Sequence, residues 1–389
     1  MPPPEAIGSD VGQVQRRADR VRGSNGLGEA GQRTGNSADG KASHSRGVEW
    51  SVPNATTTRV PLSVLDLAWV GEGQTSAEAL QATVTLATRA EEWGYHRFWV
   101  AEHHNMPGVA STSPPVLIAY LLARTSTIRV GSGGVMLPNH PPLVVAEQFA
   151  MLEALAPGRV DLGIGRAPGT DPATAAALRR GDNHGAEDFP RELDAVLAML
   201  GDPTREEPRP VHLRATPAAT STPQIWLLGS SGYSAQLAGL LGLPFAFAHH
   251  FSAHNTIPAL ELYRSHFRPS AMLDRPYTMV AQAVIVADTQ EEAERQALPG
   301  RLVQLSLRTG RPRPLPTPEE AAKHKWTEAE REIVAAWPSR PSIGTPEKVR
   351  AELIELVQST GADELMVTTQ IYGIEERLYS YELLAKVWT

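Results

Sequence analysis

One feature constrains this chain more than any other: an alternation. From Val60 onward, short apolar runs and amphipathic segments follow one another eight times. The apolar runs are Val60–Ala68, Arg97–Ala101, Thr127–Gly134, Arg159–Gly163, Gln224–Leu228, Pro244–Ala248, Tyr277–Ala287 and Glu364–Thr369. Between them, apolar residues recur at helical spacing, as in Ala77–Trp93, Pro142–Leu155, Tyr233–Leu241 and Glu347–Thr360. Gly94, Gly242 and Gly361 stand where a helix C-terminus takes glycine. Neighbouring parallel strands need such helical crossovers. The pattern predicts an α/β chain, with a (β/α)₈ TIM barrel favoured by the count of eight and a doubly wound open sheet as the alternative.

Insertions are expected after strands four and seven. Residues 201–223, rich in Pro and Thr, continue a long connection after strand four, which carries helical pieces near Pro172–Arg180 and Glu187–Leu200. After strand seven, Thr289–Leu307 is expected to be helical and Thr309–Pro341 breaks the pattern. That second stretch reads equally as a mobile surface insertion or as a lid that keeps water from the barrel mouth.

Residues 1–58 differ in kind. Between Gly23 and Arg46, Leu27 is the single large apolar residue, too little to offset chain entropy on folding. We expect a disordered N-terminal extension over 1–58 and one barrel domain over 59–389. The extension has neither the apolar h-region of a secretory signal nor the acid-free composition of a transit peptide.

Composition excludes several function classes. A formal net charge of -7 gives no electrostatic case for nucleic acid or an anionic membrane as main partner. With no cysteine, thiolate catalysis and cysteine-based metal sites are ruled out. The same absence suits a reducing compartment, so a cytoplasmic location is expected. No apolar run approaches the ~20 residues of a membrane helix.

In parallel α/β folds, ligand sites lie beyond the C-terminal ends of the strands. Four stretches fall there. Glu102-His103-His104-Asn105 follows strand two. Adjacent histidines in extended chain point to opposite sides, so one can serve as general acid/base while the other packs; no metal site is expected. Ser132-Gly133-Gly134 ends strand three. Glycines there suit a tight barrel corner or a flat ligand against bare backbone, with a non-proline cis bond conceivable. Gly163-Ile164-Gly165-Arg166 ends strand four. Arg166 suits a phosphate or carboxylate, or a loop ion pair with Asp171. A dinucleotide fingerprint is a poor match, because Gly169 comes one position late and Pro168 intervenes. Finally, Gly229-Ser230-Ser231-Gly232 opens the fifth helix and would make an anion cradle or an ordinary N-cap. Asp66, Asn139, His140, His249, His250 and Tyr372, also near strand ends, each read as satisfied structural polar groups.

The runs LSVLDLA, WVAEHHN, IRVGSGGVMLPNHPPLVVAEQFAMLEALAPGRVDLGIGRAPGTD and WLLGSSGYSAQLAGLLGLPFAFAHH resemble the bacterial-luciferase-like flavin-dependent monooxygenases. Among these, the single-chain oxidoreductases of natural-product gene clusters are most similar, over about Val60 to Trp388. The resemblance implies a TIM barrel that binds FMN at its C-terminal face. Arg166 would hold the phosphate with Ser230 and Ser231; Gly133-Gly134, as a non-prolyl cis peptide, would underlie the isoalloxazine ring; Ala68 and Gly229 would also contact the cofactor. His103 would be the catalytic base at the reactive flavin edge. The implied activity is a monooxygenation of a small organic substrate by reduced FMN and O₂, through a C4a-hydroperoxyflavin that needs a water-free site. With no nicotinamide fingerprint, a separate flavin reductase is the expected electron source. A homodimer is common in that family. Where light-emitting luciferase has a reactive cysteine this chain has Gly165, and Gly232 shifts the phosphate loop by one residue. Both argue against light emission from an aldehyde. An F420-dependent hydride-transfer enzyme on the same barrel, or a flavin-binding protein without turnover, are the competing expectations.

Overall fold

The computed structural model describes residues 59–167, 169–179, 187–206 and 212–388. The expected N-terminal extension lies outside them, as do parts of the connection after strand four.

Eight parallel strands close into a barrel: β1 Leu62–Asp66, β2 Arg97–Val100, β3 Arg129–Ser132, β4 Val160–Gly165, β5 Gln224–Gly229, β6 Phe245–Phe247, β7 Thr278–Val286 and β8 Glu364–Thr368. Closure is explicit in the register. Val64 of β1 faces both Phe98 of β2 and Val367 of β8, and Val367 in turn faces Gln282 of β7. The open-sheet alternative is therefore excluded. Two short strands lie off the barrel: Val135–Met136 pairs β4, and Ser342–Gly344 pairs β7.

The ring helices are α1 Ser76–Glu92, α2 Pro114–Leu122, α3 Pro142–Leu155, α4 Phe189–Met199, α5 Gly232–Leu241, α6 Thr256–His266, α7 Pro346–Thr360 and α8 Ile374–Trp388. Local sequence explains their ends. Thr75 and Glu78 form a reciprocal capping box at the start of α1, and Gly242 and Gly361 close α5 and α7 in the left-handed conformation. No described helix is long and apolar enough to cross a membrane.

The barrel floor is charged. Arg97, first residue of β2, bonds Glu364 of β8 at 2.9 Å and Asp161 of β4 at 2.9 Å, and Arg129 of β3 bonds Asp161 at 2.6 Å. Tyr277 and Trp99 add donors to the same two carboxylates. Arg97, Asp161 and Glu364 are fully buried, so each charge depends on its partners. Above them Trp99 and Trp226 meet edge to face at 5.3 Å. The floor is thus plugged, and a ligand can enter only from the C-terminal face.

The stretch after β7 departs from expectation. Beyond the helix Gln290–Arg308 it is not patternless: Pro318–Ala322 and Glu328–Ala335 are helical, each capped by a threonine. Its root is fastened to the loop after β1. Leu315 exchanges backbone hydrogen bonds with Val70 and Glu72, Arg313 pairs with Glu72, and Tyr372 donates to the Glu72 carbonyl at 2.6 Å. Leu302, Leu305 and Ala321 form a small core beneath it.

Candidate active site

Glu102 organises the mouth beyond β2. Its side chain is fully buried, yet accepts from four groups. Oε1 takes His104 Nε2 at 2.9 Å, His140 Nε2 at 2.9 Å and Asn139 Nδ2 at 3.2 Å, while Oε2 takes the Met136 amide at 2.9 Å. Burial alone would raise this carboxyl. The hydrogen bond and charge of His140, with the other donors, outweigh it and hold the group below the usual carboxylate range. The cluster ties the loop after β2 to the one after β3.

That arrangement settles the double histidine. His104 belongs to the Glu102 cluster. His103 turns the other way, and its Nδ1 lies 3.0 Å from the carbonyl of Gly169, which is held at φ +65°. A carbonyl only accepts, so Nδ1 carries the proton and Nε2 of the neutral ring is left as a base. Burial pushes His103 below the ordinary histidine value. His250 has the same design: Nδ1 meets the Ala281 carbonyl at 3.3 Å, and burial pushes its pKa down to about 4.

His103 and His250 both line a cavity of about 660 Å³ at the C-terminal face. Its walls come from the ends of β7 and β8, from Gln290–Arg308, and from Val334 to Pro341 of the insertion. The stretch read as either mobile or a lid therefore forms one wall of this chamber.

The phosphate-type residues form a second group, outside that lining. Arg166 does not pair with Asp171. The Asp171 carboxylate instead caps the helix Pro172–Arg179 through Ala173, Thr174 and the Thr174 hydroxyl. The Arg166 guanidinium lies over the Tyr233 ring, 4.0 Å from its centroid, with no carboxylate partner among the described residues. Tyr233 belongs to the first turn of α5. Ser231, at the N-cap of α5, makes no side-chain capping bond. A fixed cation thus stands beside a helix start whose amides its cap leaves open. The Ser230 carbonyl is pinned by Ser252 Oγ at 2.9 Å and Asn255 Nδ2 at 3.4 Å, which sets the path of the loop.

Gly133-Gly134 is a cis peptide. A Cβ on Gly133 would sit 2.7 Å from Leu65 Cδ1, and one on Gly134 2.3 Å from Leu228 Cδ1. At Gly134 a Cβ would also lie 2.7 Å from the Gly163 carbonyl oxygen, so packing inside the barrel requires glycine there, whereas at Gly133 the Leu65 side chain could shift. Gly163 and Gly165 lie within β4, where a Cβ on Gly163 would reach 2.1 Å from the Ser132 carbonyl oxygen. They serve strand packing rather than a dinucleotide loop. Gly229 closes β5, against Ser234. Ala68 is fully buried at φ +51°; its amide donates to Asp66 at 3.1 Å and its carbonyl accepts from Ala110.

Of the polar residues read as structural, Asp66, Asn139, His140, His249 and Tyr372 all have protein partners. His250 is the exception in consequence, because it also faces the cavity. Sequence reasoning missed the central place of Glu102. Its neighbours drew attention as a histidine pair, and no spacing connects Glu102 to His140, 38 positions away. No group of acidic and histidine residues among those described could hold a metal ion.

Comparison with known proteins agrees with this architecture. The family model described as luciferase-like monooxygenase matches residues 60–364. The chain is 51 % identical over 327 residues to the uncharacterized protein YvbT of Bacillus subtilis, covering 84 % of this chain and 96 % of that one. It is 46 % identical over 332 residues to a luciferase-like monooxygenase of Escherichia coli, covering 85 % and 98 %. Among solved structures, apo-MsnO8 superposes with a TM-score of 0.78 at 40 % identity, covering 85 % of this chain and 98 % of that one. The chain belongs to the luciferase-like monooxygenase family, and is an oxidoreductase of the monooxygenase kind.

Proposed function

We propose that this monooxygenase uses reduced FMN and O₂ to oxidise a small organic substrate held in the cavity beside His103. The observation that carries the reading is Arg166: a guanidinium stacked on Tyr233 at 4.0 Å, without an ionic partner among the described residues, at the uncapped start of α5. The donor set fits a phosphomonoester, with a planar cation on one side and helix amides on the other. Ser230 and Ser231 would complete it. Gly133-Gly134 would lie beneath the ring system, with Ala68 and Gly229 as further contacts. Bound reduced flavin would supply the electrons that activate O₂.

The chain's own residues have three tasks. His103, neutral and with Nε2 unprotonated, can take a proton at the reacting edge. The insertion wall, fastened at Leu315, covers one side of the chamber and would limit access of water to bound reduced flavin. Glu102 holds His104, His140 and the Met136 amide, so that the loops carrying His103 and Met136 keep their places. With no nicotinamide-dinucleotide fingerprint in the sequence, electrons would come from a separate reductase. A second copy of the chain is the partner proposed for the apolar face of α2 and α3, where Val116 and Leu155 are 70 % and 72 % exposed.

Binding separates the possibilities. Titration with photoreduced FMN and with reduced F420 should show preference for FMN. Arg166→Ala should weaken FMN binding by about 1.5–3 kcal/mol, on the order of ten- to a hundredfold. Unchanged affinity would remove Arg166 from the cofactor site. Stopped-flow mixing with O₂ should show reoxidation of bound reduced FMN at a rate distinct from that of free flavin, and coincidence of the two rates would count against oxygen chemistry here.

A further inference from the structure

We infer that the substrate of this enzyme carries an anionic group, a carboxylate or sulfonate on an apolar body, recognised by Arg301, Arg308 and Arg340. The inference rests on the reading of the cavity as the substrate chamber. All three arginines line that cavity, and no aspartate, glutamate or lysine does. None of the three has a carboxylate partner among the described residues. The two histidines in the lining have pKa values lowered by burial, so the arginines carry the chamber's charge. The formal net charge of the chain is -7, so a purely cationic lining runs against the average of the molecule. Their side chains are exposed and without a carboxylate partner, so each guanidinium is open to a bound anion.

The placement is built into the fold. Ala297, Gly300, Arg301, Gln304 and Arg308 recur at helical spacing along Gln290–Arg308, so one face of that helix looks into the chamber. Its other face packs Leu302 and Leu305 on the insertion's small core. The Arg308 guanidinium sits 5.0 Å from the centroid of the Trp337 ring, a stacking contact that orients it. Arg340 follows three residues later, its backbone carbonyl held by Gln282 Nε2 at 3.0 Å. Nearby in the lining, Ser339 and Thr369 are at least nine-tenths buried, and their hydroxyls have no protein partner. The same lining includes Leu67, Trp69, Val284 and Ile285. With cationic and apolar side chains in one lining, the chamber suits an amphipathic anion better than a neutral chain.

A second source for the anion is the cofactor, and the test separates the two. Isothermal titration of the full chain, with and without saturating FMN, compares octanesulfonate and octanoate with octanol. The expected result is at least tenfold tighter binding of the two anions. That preference should vanish in the triple variant Arg301→Ala/Arg308→Ala/Arg340→Ala while FMN affinity stays within twofold of the parent. The corresponding triple lysine variant should keep a preference, which guards against a folding defect in the alanine protein; Arg340→Gln alone should lower it. Equal or tighter binding of octanol overturns the inference. So does an alanine variant that loses FMN affinity tenfold while the parent shows no preference between the probes, because the arginines would then serve the cofactor. If the protein binds the anions preferentially but no flavin at all, the anion site stands and the flavin reading falls.

Discussion

At His103 one hydrogen bond decides what the ring can do. Nδ1 donates to the Gly169 carbonyl at 3.0 Å, so Nε2 is the free base of a neutral imidazole. Burial lowers the pKa below the ordinary histidine value, so at pH 7 the neutral base is the predominant form. Turnover should therefore fall only on the acid side, with a midpoint below 6.5, as the ring takes up a proton. His103→Ala should leave flavin affinity unchanged, abolish that acid limb and slow turnover by about 10²–10⁴-fold. A rate profile identical in variant and parent would show that the proton goes elsewhere. Sequence placed His103, Arg166 and the Gly133-Gly134 pair at strand ends because the strands themselves were legible from their apolar runs. It could not show which of two adjacent histidines faces inward, since that depends on Glu102 capturing His104. Nor did it reveal that Gly134 is held to glycine by the Gly163 carbonyl of β4, a contact made only once the barrel closes.

Elements show where sequence patterns stop carrying information. Helix ends were readable to within a residue or two, because Thr75, Gly94, Gly242 and Gly361 act locally. The insertion after β7 was not. Its short helices bury only small patches, and its anchors, Leu315 on Val70 and Arg313 on Glu72, join residues more than 200 positions apart. The link between the loops after β2 and β3 has the same non-local character, and it makes a prediction. Glu102→Ala would leave His104, His140, Asn139 and the Met136 amide without their shared acceptor in a buried place. The expected loss is about 3–5 kcal/mol in urea unfolding, against about 1–3 kcal/mol for Glu102→Gln, which keeps an acceptor oxygen. The acid dependence has a definite sign. Burial raises the Glu102 carboxyl, but the bond from His140 and its companions bring the folded value below 4.5. Its contribution is thus complete above the unfolded carboxylate range and is lost as pH falls through the lower folded value. Stability of the parent and Glu102→Gln should converge as pH falls below the ordinary carboxylate range; a gap that stays constant on acidification would mean that the carboxylate charge contributes nothing.

At the scale of the whole molecule, the barrel separates two kinds of polarity. Its floor pairs buried charges, Arg97 and Arg129 with Asp161 and Glu364, whereas its mouth, beside the Glu102 cluster, holds histidines whose pKa values burial lowers. Each arrangement has its own pH window. His103, His249 and His250 all have pKa values lowered, with burial as the first cause. The unfolded chain binds protons at these sites near pH 6.5, and the folded chain does not until lower pH. Acidification therefore favours the unfolded state from about pH 6.5 downward. His250, lowered to about 4, should alone remove about 2 kcal/mol between pH 7 and pH 5. Carboxylates cannot account for a change in that window. Asp161 is displaced downward by Arg129 and Arg97 despite its burial, so it stays charged and responds only below about pH 4. Asp363 and Glu153 are raised by burial, so protonation favours their folded forms and opposes the loss. Urea midpoints at fixed salt should thus decline between pH 7 and pH 5 with little change in slope. His250→Gln, which stays neutral in both states, should flatten that decline by about 2 kcal/mol. A parent protein whose midpoint is level across this range would show that the mouth histidines are already hydrated, and would also remove the basis for treating His103 as a neutral base.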